Sequence, residues 1–322
     1  MQTATASTDQ TAQDPICPGT SEGSATARPD VLDRIASSLQ ESGRYRILRR
    51  IEPRRIVVPT NSDSAEGIRT GIVLDTETTG LNHATDEVVE IALIKFRYRG
   101  AEILDVIDVF EGLQQPSGPL SPEVSDLTGL SDTMLSGQAI DGEKLSAFLD
   151  GVDLVIAHNA RFDRPFAERL DPAFSRLAWA CSAAEVPWRR LGVEGTKLGY
   201  ILTRFGLYHE GHRALADCHA LLEVLARPPP RGDTTAFAHV LDASRRVTAE
   251  VRAVDAPYAV KDVLKARSYR WSNGSDGKER CWSRELPVED LDDELRYLGR
   301  EIYGRPVTLP VTFRGAAERH RP

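Results

Sequence analysis

The sequence predicts an α/β fold, a sheet of mixed strand direction flanked by helices. Three observations predict it. A short apolar run, Gly71 to Thr76, reads as a buried strand; two extended stretches, Val88 to Tyr98 and Ala101 to Phe110, are joined across Arg99-Gly100; and beyond them helical stretches alternate with short apolar runs. A chain of 322 residues that is 41% hydrophobic is long enough to bury such a core and to carry smaller units beside it.

Taken in order, residues 1–29 are Thr, Ala, Ser, Gln, Asp and Pro with almost no large apolar side chain. That composition cannot offset the entropy of ordering and predicts a disordered tail. Residues 30–69 predict a helical lead-in and a linker. Val31, Leu32, Ile35 and Leu39 recur at helical spacing, Tyr45, Ile47 and Leu48 follow in an extended pattern, and Pro, Ser, Asn, Asp and Gly crowd the stretch from Pro53 to Thr70. The main domain is expected over 70–226. After its three opening strands come helical stretches at Lys144 to Leu149 and Lys197 to Phe205, and short apolar runs at Leu154 to Ala157 and Leu177 to Ala180. It closes with His212 to Leu225, whose stripe of Ala214, Leu215, Cys218, Leu221, Leu222 and Leu225 stops before Pro228, Pro229 and Pro230. Residues 227–254 read as a helical connector with a helix near Thr235 to Ser244. Residues 255–322 read as a small basic and aromatic α+β module, in which Asn273-Gly274 and Asp276-Gly277 mark turns between extended pieces bearing Trp271 and Trp282, and a helix follows over Val288 to Leu298.

A net charge of −8 and a pI near 5.5 argue against a broad cationic surface that coats nucleic acid. They leave room for a site in which metal ions supply positive charge locally. Cys17, Cys181, Cys218 and Cys281 form no CxxC pair, and no charged leader with an apolar run opens the sequence, so a cytoplasmic location is expected. No stretch approaches the roughly 18 apolar residues of a membrane span.

The chemistry concentrates in three stretches. In LDTETTGL, strand alternation puts Asp75 and Glu77 on one face at a strand's carboxyl end, where open α/β sheets place ligand sites. Two adjacent carboxylates repel, and a divalent cation removes the conflict. Alone, the pair reads equally as two solvated acids. In LVIAHNARFDRPF, Asp163 follows another apolar strand and a short turn as a helix begins, and alone it reads equally as an N-cap with Pro165 in the first turn. In HRALADC, His212 and Asp217 would stand about 140° apart on a continuous helix, so His212 is placed on the preceding loop, Tyr208 to Gly211, with Gly211 letting it swing over the site. Alone, Asp217 reads as a solvated helix acid and His212 as a capping or surface histidine. Together, four carboxylates and one mobile imidazole are what a two-metal phosphodiester hydrolase requires, with paired cations at the attacking water and departing oxygen and the imidazole as base.

These motifs resemble the DEDD exonucleases with a catalytic histidine, a family that includes the proofreading epsilon subunit of bacterial DNA polymerase III. DTETTGL, HNARFD and HRALAD stand in the family's order over Thr70 to Ala226, and LTGLSDTML at Leu127 to Leu135 also looks like this family. The resemblance implies a ribonuclease H-like mixed sheet of five strands and a 3′-5′ exonuclease using Mg²⁺ or Mn²⁺, two ions per site. Asp75, Glu77, Asp163 and Asp217 would hold the metals, with Asp75 bridging both, and His212 would be the general base. It further implies contacts of Thr78, Leu81 and Phe162 with terminal nucleotides and a loop held by Asn159; core packing and a turn amide are the plain alternatives. The substrate expected is a single-stranded or frayed DNA 3′ end, in proofreading or repair beside a polymerase or a repair partner. RNA trimming and non-catalytic binding of nucleic-acid ends are the rivals.

Two features point elsewhere. His209, His212, Cys218 and His219 match no structural zinc spacing, and Cys218 sits on the apolar stripe; Cys181 reads as a buried, inert thiol. In the last module Lys261, Lys265, Arg267, Arg270, Lys278 and Arg280 surround Tyr269, Trp271 and Trp282. That pattern suits single-stranded nucleic acid, or else a hairpin whose tryptophans form its own small core.

Overall fold

The computed structural model describes residues 29–58, 66–274 and 279–321. They fall in two compact units, one ending at Ile47 and the other starting at Leu48. The first unit contains helix α1 (Pro29–Glu41), where a helical lead-in is expected. The tail expected before it lies outside the described residues.

The second unit begins with β1 (Arg49–Arg50) and then builds an antiparallel meander from β2 (Ile68–Thr78), β3 (Val88–Arg99) and β4 (Glu102–Leu113). Helices α2 (Pro122–Thr128), α3 (Asp132–Leu135) and α4 (Gly142–Leu149) follow. Each starts at an acceptor side chain, Ser121, Ser131 and Asp141, that takes a backbone N–H of the first turn. The chain then lays β5 (Leu154–Ala157) parallel to β2, crosses through α5 (Ala160–Leu170), and adds β6 (Ala178–Cys181) parallel to β5. The result is the mixed five-stranded sheet in the order β4-β3-β2-β5-β6. Short α6 (Ser182–Glu185), α7 (Leu198–Arg204) and β7 (Leu207–Tyr208), which pairs with β1, lead to α8 (Ala214–Leu225).

Alternation divides the core. Val73, Ala92 and Ile94 pack against the α8 stripe of Cys218, Leu221, Leu222 and Leu225, while Ile72, Leu74, Ile91 and Leu93 pack on the opposite face with Leu145, Phe148 and Phe166 of α4 and α5. Burying each such aliphatic side chain contributes about 1.5–3 kcal/mol. Gly71 is required where the Phe96 ring crosses β2, because a Cβ there would stand 2.6 Å from the ring. Residues ahead of β2 also join this body: Val57 N donates to Val106 O at 2.8 Å, and Arg54 pairs with Glu223 at 2.6 Å.

Helix α9 (Ala236–Arg245) leads into a second sheet made of β8 (Thr248–Ala253), β9 (Arg270–Ser272), β10 (Cys281–Pro287) and β11 (Val311–Arg314), in the order β11-β8-β10-β9, with α10 (Lys261–Ala266) and α11 (Leu291–Tyr297) completing the module. The expected hairpin is present, with Trp271 opposite Trp282; its Asp276-Gly277 turn lies outside the described residues. The helical connector expected over 227–254 holds α9 and, beyond it, strand β8. The apolar side of that strand is Ala249, Val251 and Ala253, too small to stand out as a period-two signal. After β11 the chain lies along the outer edge of β6. Trp179 N donates to Ala316 O, and the buried Arg164 guanidinium donates to Ala317 O and Arg319 O. Among the described residues no helix is long and apolar enough to cross a membrane.

Candidate metal centre

The site forms where β2 ends. Its alternation turns Val73, Asp75 and Glu77 toward α8 and Ile72, Leu74 and Thr76 toward α5. Helix α8 contributes Asp217 from its first turn. One oxygen from each of Asp75, Glu77 and Asp217 lies within 4.8 Å of the other two, and all three residues are partly buried. A β-bulge, where the pairing shifts between Glu77 opposite Glu90 and Thr78 opposite Val88, bends the strand at this point.

Asp163 reaches the site from the other face of β2. Asn159 precedes α5 in a left-handed conformation, φ 85°, which asparagine tolerates, so Asp163 stands inside the first turn and not at the N-cap. Its Oδ1 accepts both Thr76 N, at 3.2 Å, and Thr76 Oγ1, at 2.9 Å. Thr76 thus aims one carboxylate oxygen of the neighbouring helix.

Three of the acids, Asp75, Glu77 and Asp163, are pushed above the usual carboxylate range. Burial, followed by the charges of Asp163, Asp217, Glu77 and Glu90, holds the Asp75 carboxyl well above the usual carboxylate range. Burial and the charges of Asp217, Glu90 and Asp163 push Glu77 from 4.5 to about 8, with Arg213 acting weakly against them. Burial raises Asp163 from 3.8 to about 7 in spite of the two hydrogen bonds from Thr76. Among the described residues no Lys or Arg side chain bonds Asp75, Glu77 or Asp217. Hard carboxylate oxygens crowded in this way, with protein cations left out, are a donor set suited to Mg²⁺ or Mn²⁺. A bound divalent ion would remove the repulsion that the fold leaves in place.

The structure also places residues that motif spacing did not reveal. Glu90, directly across from Glu77 and 4% exposed, accepts Arg213 Nε at 3.1 Å and Nη2 at 2.9 Å, and Ala214 N at 3.1 Å. It therefore caps α8 and fixes the start of the helix that carries Asp217. A single acid within Val88-Val89-Glu90-Ile91-Ala92 was its only signal in the sequence. Asp217 Oδ1 lies 2.7 Å from His209 Nε2, and its Oδ2 accepts His212 N at 2.7 Å. His158, next to Asn159, has Nδ1 2.8 Å from Ser182 Oγ and Nε2 2.6 Å from Thr196 O, and burial lowers its pKa.

His212 sits on the loop before α8. His212 itself takes a left-handed backbone conformation, φ 65°, and the residue is exposed. Leu81 projects into solvent, 86% exposed, from a loop in which Asp86 accepts Asn82 N at 2.7 Å. Phe162 is half-buried against Phe166. The Thr78 hydroxyl is engaged by Gly80 O, and Asn159 shapes its turn through the backbone, with no side-chain cap bond. The Cys218 thiol is buried against Ala92 O and Val73 O, and Cys181 is buried as well.

Residues 72–225 match the RNase_T family, described as exonuclease. The chain is 30% identical over 183 residues to the PolC-type DNA polymerase III of Thermotoga maritima, covering 55% of this chain and 13% of that protein. It is 38% identical over 110 residues to the PolC-type enzyme of Bacillus subtilis, covering 34% and 7% respectively. The chain therefore spans only a small part of these relatives. Among solved structures, Exonuclease I of E. coli in complex with a dA16 oligonucleotide aligns with a TM-score of 0.45 and 15% identity over 72% of this chain and 71% of that one.

Proposed function

Residues 72–225 form an exonuclease domain of the RNase_T family, and from that premise we propose that the protein shortens DNA from its 3′ end by hydrolysis, one nucleoside monophosphate at a time. The observation that carries the reading is the convergence of Asp75, Glu77 and Asp217 within 4.8 Å, with Asp163 aimed from α5 by Thr76. Asp75, Glu77, Asp163 and Asp217 would hold two divalent ions, Mg²⁺ or Mn²⁺, which supply electrostatic stabilisation of the reacting phosphodiester and acidify the attacking water. His212 is the general base, an exposed imidazole on the loop leading to Asp217. Glu90 and Arg213 act through position, by pinning the helix start between His212 and Asp217. Leu81 and Phe162 present apolar surface to the terminal nucleotides, and Thr78 and Asn159 shape the two loops that frame them.

DNA as substrate rests on the relatives being DNA polymerases, as does work beside a polymerase in proofreading or repair. Three free, buried cysteines among the described residues fit a reducing cytoplasm. The test is a 5′-labelled single-stranded or 3′-recessed oligonucleotide incubated with Mg²⁺ or Mn²⁺, for which a ladder of progressively shorter products is expected. Full activity in Asp75→Ala or His212→Ala protein would overturn the residue assignment. Faster cutting of an RNA oligomer of the same sequence would move the substrate to RNA.

A further inference from the structure

Away from the acids, the stretch from Pro187 to Gly195 and helix α7 enclose a cleft of about 480 Å³ lined by Arg189, Gly192, Glu194, Tyr200, Arg204 and Arg231. Three guanidinium groups face one carboxylate in a chain whose net charge is −8. Among the described residues none of these three arginine side chains makes a hydrogen bond or ion pair, whereas Arg54, Arg97, Arg164, Arg213, Arg227, Arg267, Arg284 and Arg319 are all engaged by carboxylates.

The cleft is built from a stiff frame. Val193 N bonds Trp188 O, Gly192 N bonds Arg189 O, and Arg231 N bonds Leu191 O. Gly192, at φ +83°, lets the Arg231 stem lie on the backbone, since a Cβ would meet Arg231 Cγ at 2.9 Å. Gly195 does the same for Tyr200, whose ring would be 3.0 Å from an added Cβ. Tyr200 and Arg204, four residues apart, share the exposed face of α7. An adjoining groove lined by Val186, Pro187, Trp188 and Val193 shares Arg189 and Glu194 with the cleft and extends to Thr196. The carbonyl of Thr196 is the one that contacts His158, at the turn that starts the Asp163 helix.

We propose that this arginine cleft is a second contact for the substrate strand, gripping phosphodiester groups upstream of the 3′ end that lies at the acidic cluster, with Tyr200 offering a face for a base. Unpaired guanidinium groups are forked donors matched to phosphate oxygens, and an aromatic ring beside them stacks bases of any sequence. Such an anchor offsets the repulsion between a polyanion and four acids. The proposal rests on the exonuclease reading for its choice of ligand, and the two are tested by separate measurements.

Binding is measured by fluorescence anisotropy of a labelled single-stranded DNA of about 20 nucleotides, in EDTA so that nothing is cut, across a series of salt concentrations. Each phosphate contact contributes a slope of about 0.7 in log affinity against log salt. The combined Arg189→Gln, Arg204→Gln and Arg231→Gln protein should bind at least about tenfold more weakly, with the slope reduced by about 2. Tyr200→Ala should weaken binding about fivefold with the slope unchanged, because stacking releases no counterions. Hydrolysis of the p-nitrophenyl ester of thymidine 5′-monophosphate, too short to span both places, should match wild type in every variant. Wild-type affinity and slope in the triple variant overturn the proposal, as does a wild-type protein that binds no oligonucleotide. A wild-type protein that binds normally but hydrolyses neither ester nor oligonucleotide refutes the exonuclease reading alone, and the binding arm still decides the cleft.

Discussion

The acidic cluster at the end of β2 and the buried acid Glu294 on α11 both take carboxylate out of water, and the chain compensates them in opposite ways. Glu294, 4% exposed, accepts Arg267 Nη2 at 2.5 Å, Arg284 Nη1 at 2.9 Å and Tyr269 Oη at 3.1 Å. Burial alone would raise its pKa, but the hydrogen bonds and charges of those partners hold it below the ordinary range. At the cluster, Asp75, Glu77 and Asp217 converge, with Asp163 beside them, and Arg213 is bonded to Glu90 instead. The C-terminal module uses its buried charge to hold itself together. The cluster is left short of positive charge, which is the condition a cation-binding site needs.

Asp75→Asn should separate the two regions most sharply. Removing one of the clustered carboxylates should cost at least about 4 kcal/mol of transition-state stabilisation, or about 10³-fold in rate. In EDTA at pH 8 the same variant should melt several degrees above wild type, because it relieves repulsion among buried acids. A lower melting temperature would mean that Asp75 is compensated by the protein after all. Glu294→Gln is the mirror experiment: activity per folded molecule stays unchanged, while stability falls by about 2 kcal/mol as two arginines lose their charged acceptor. Chemical denaturation at neutral pH measures it.

Acid should then drive the two regions in opposite directions. Glu77 and Asp163 have folded pKa values raised to about 8 and about 7, so without metal the folded protein holds protons that the unfolded chain has released. Stability of the EDTA-treated protein should therefore drop as pH climbs from the ordinary carboxylate range to about 8, and Glu77→Gln should become increasingly stabilising over that window. Glu294 has the opposite sign. Its contribution is present above the ordinary carboxylate pKa and disappears as pH falls through its lowered value, so the penalty of Glu294→Gln should shrink in acid. Melting curves of the two variants against wild type, without metal, give both signs. Equal pH dependence in the two would dissolve the contrast.

The sequence showed one of these regions far better than the other. Alternation along Leu74-Asp75-Thr76-Glu77 was enough to put two acids on one face, and the spacing of His212 and Asp217 was enough to set the histidine on a loop. The mixed sheet was legible for the same reason, since β2, β3 and β5 carry runs of Ile, Val and Leu. Compensation was not legible, because it is made by residues distant in the chain. Glu90 meets Arg213 across 123 positions, and Glu294 meets Arg267 across 27. The second sheet was half visible: aromatic residues marked β9 and β10, while β8 pairs through small alanines and β11 lies beyond any local signal.

The smallest effect concerns the acid that the protein does support. Asp163 differs from Asp75 and Glu77 in having two donors of its own, the amide and the hydroxyl of Thr76, and the hydroxyl holds its pKa below where burial would leave it. Thr76→Val removes the hydroxyl and keeps shape and strand propensity. One hydrogen bond to a buried carboxylate is worth about 1 kcal/mol, so the Mn²⁺ concentration for half-maximal oligonucleotide hydrolysis should rise about fivefold. Protons then compete better for an oxygen that is also less well aimed. Thr76→Ser keeps the donor and should restore the wild-type value. If valine and serine behave alike, Thr76 is only packing, and Asp163 belongs with the uncompensated acids.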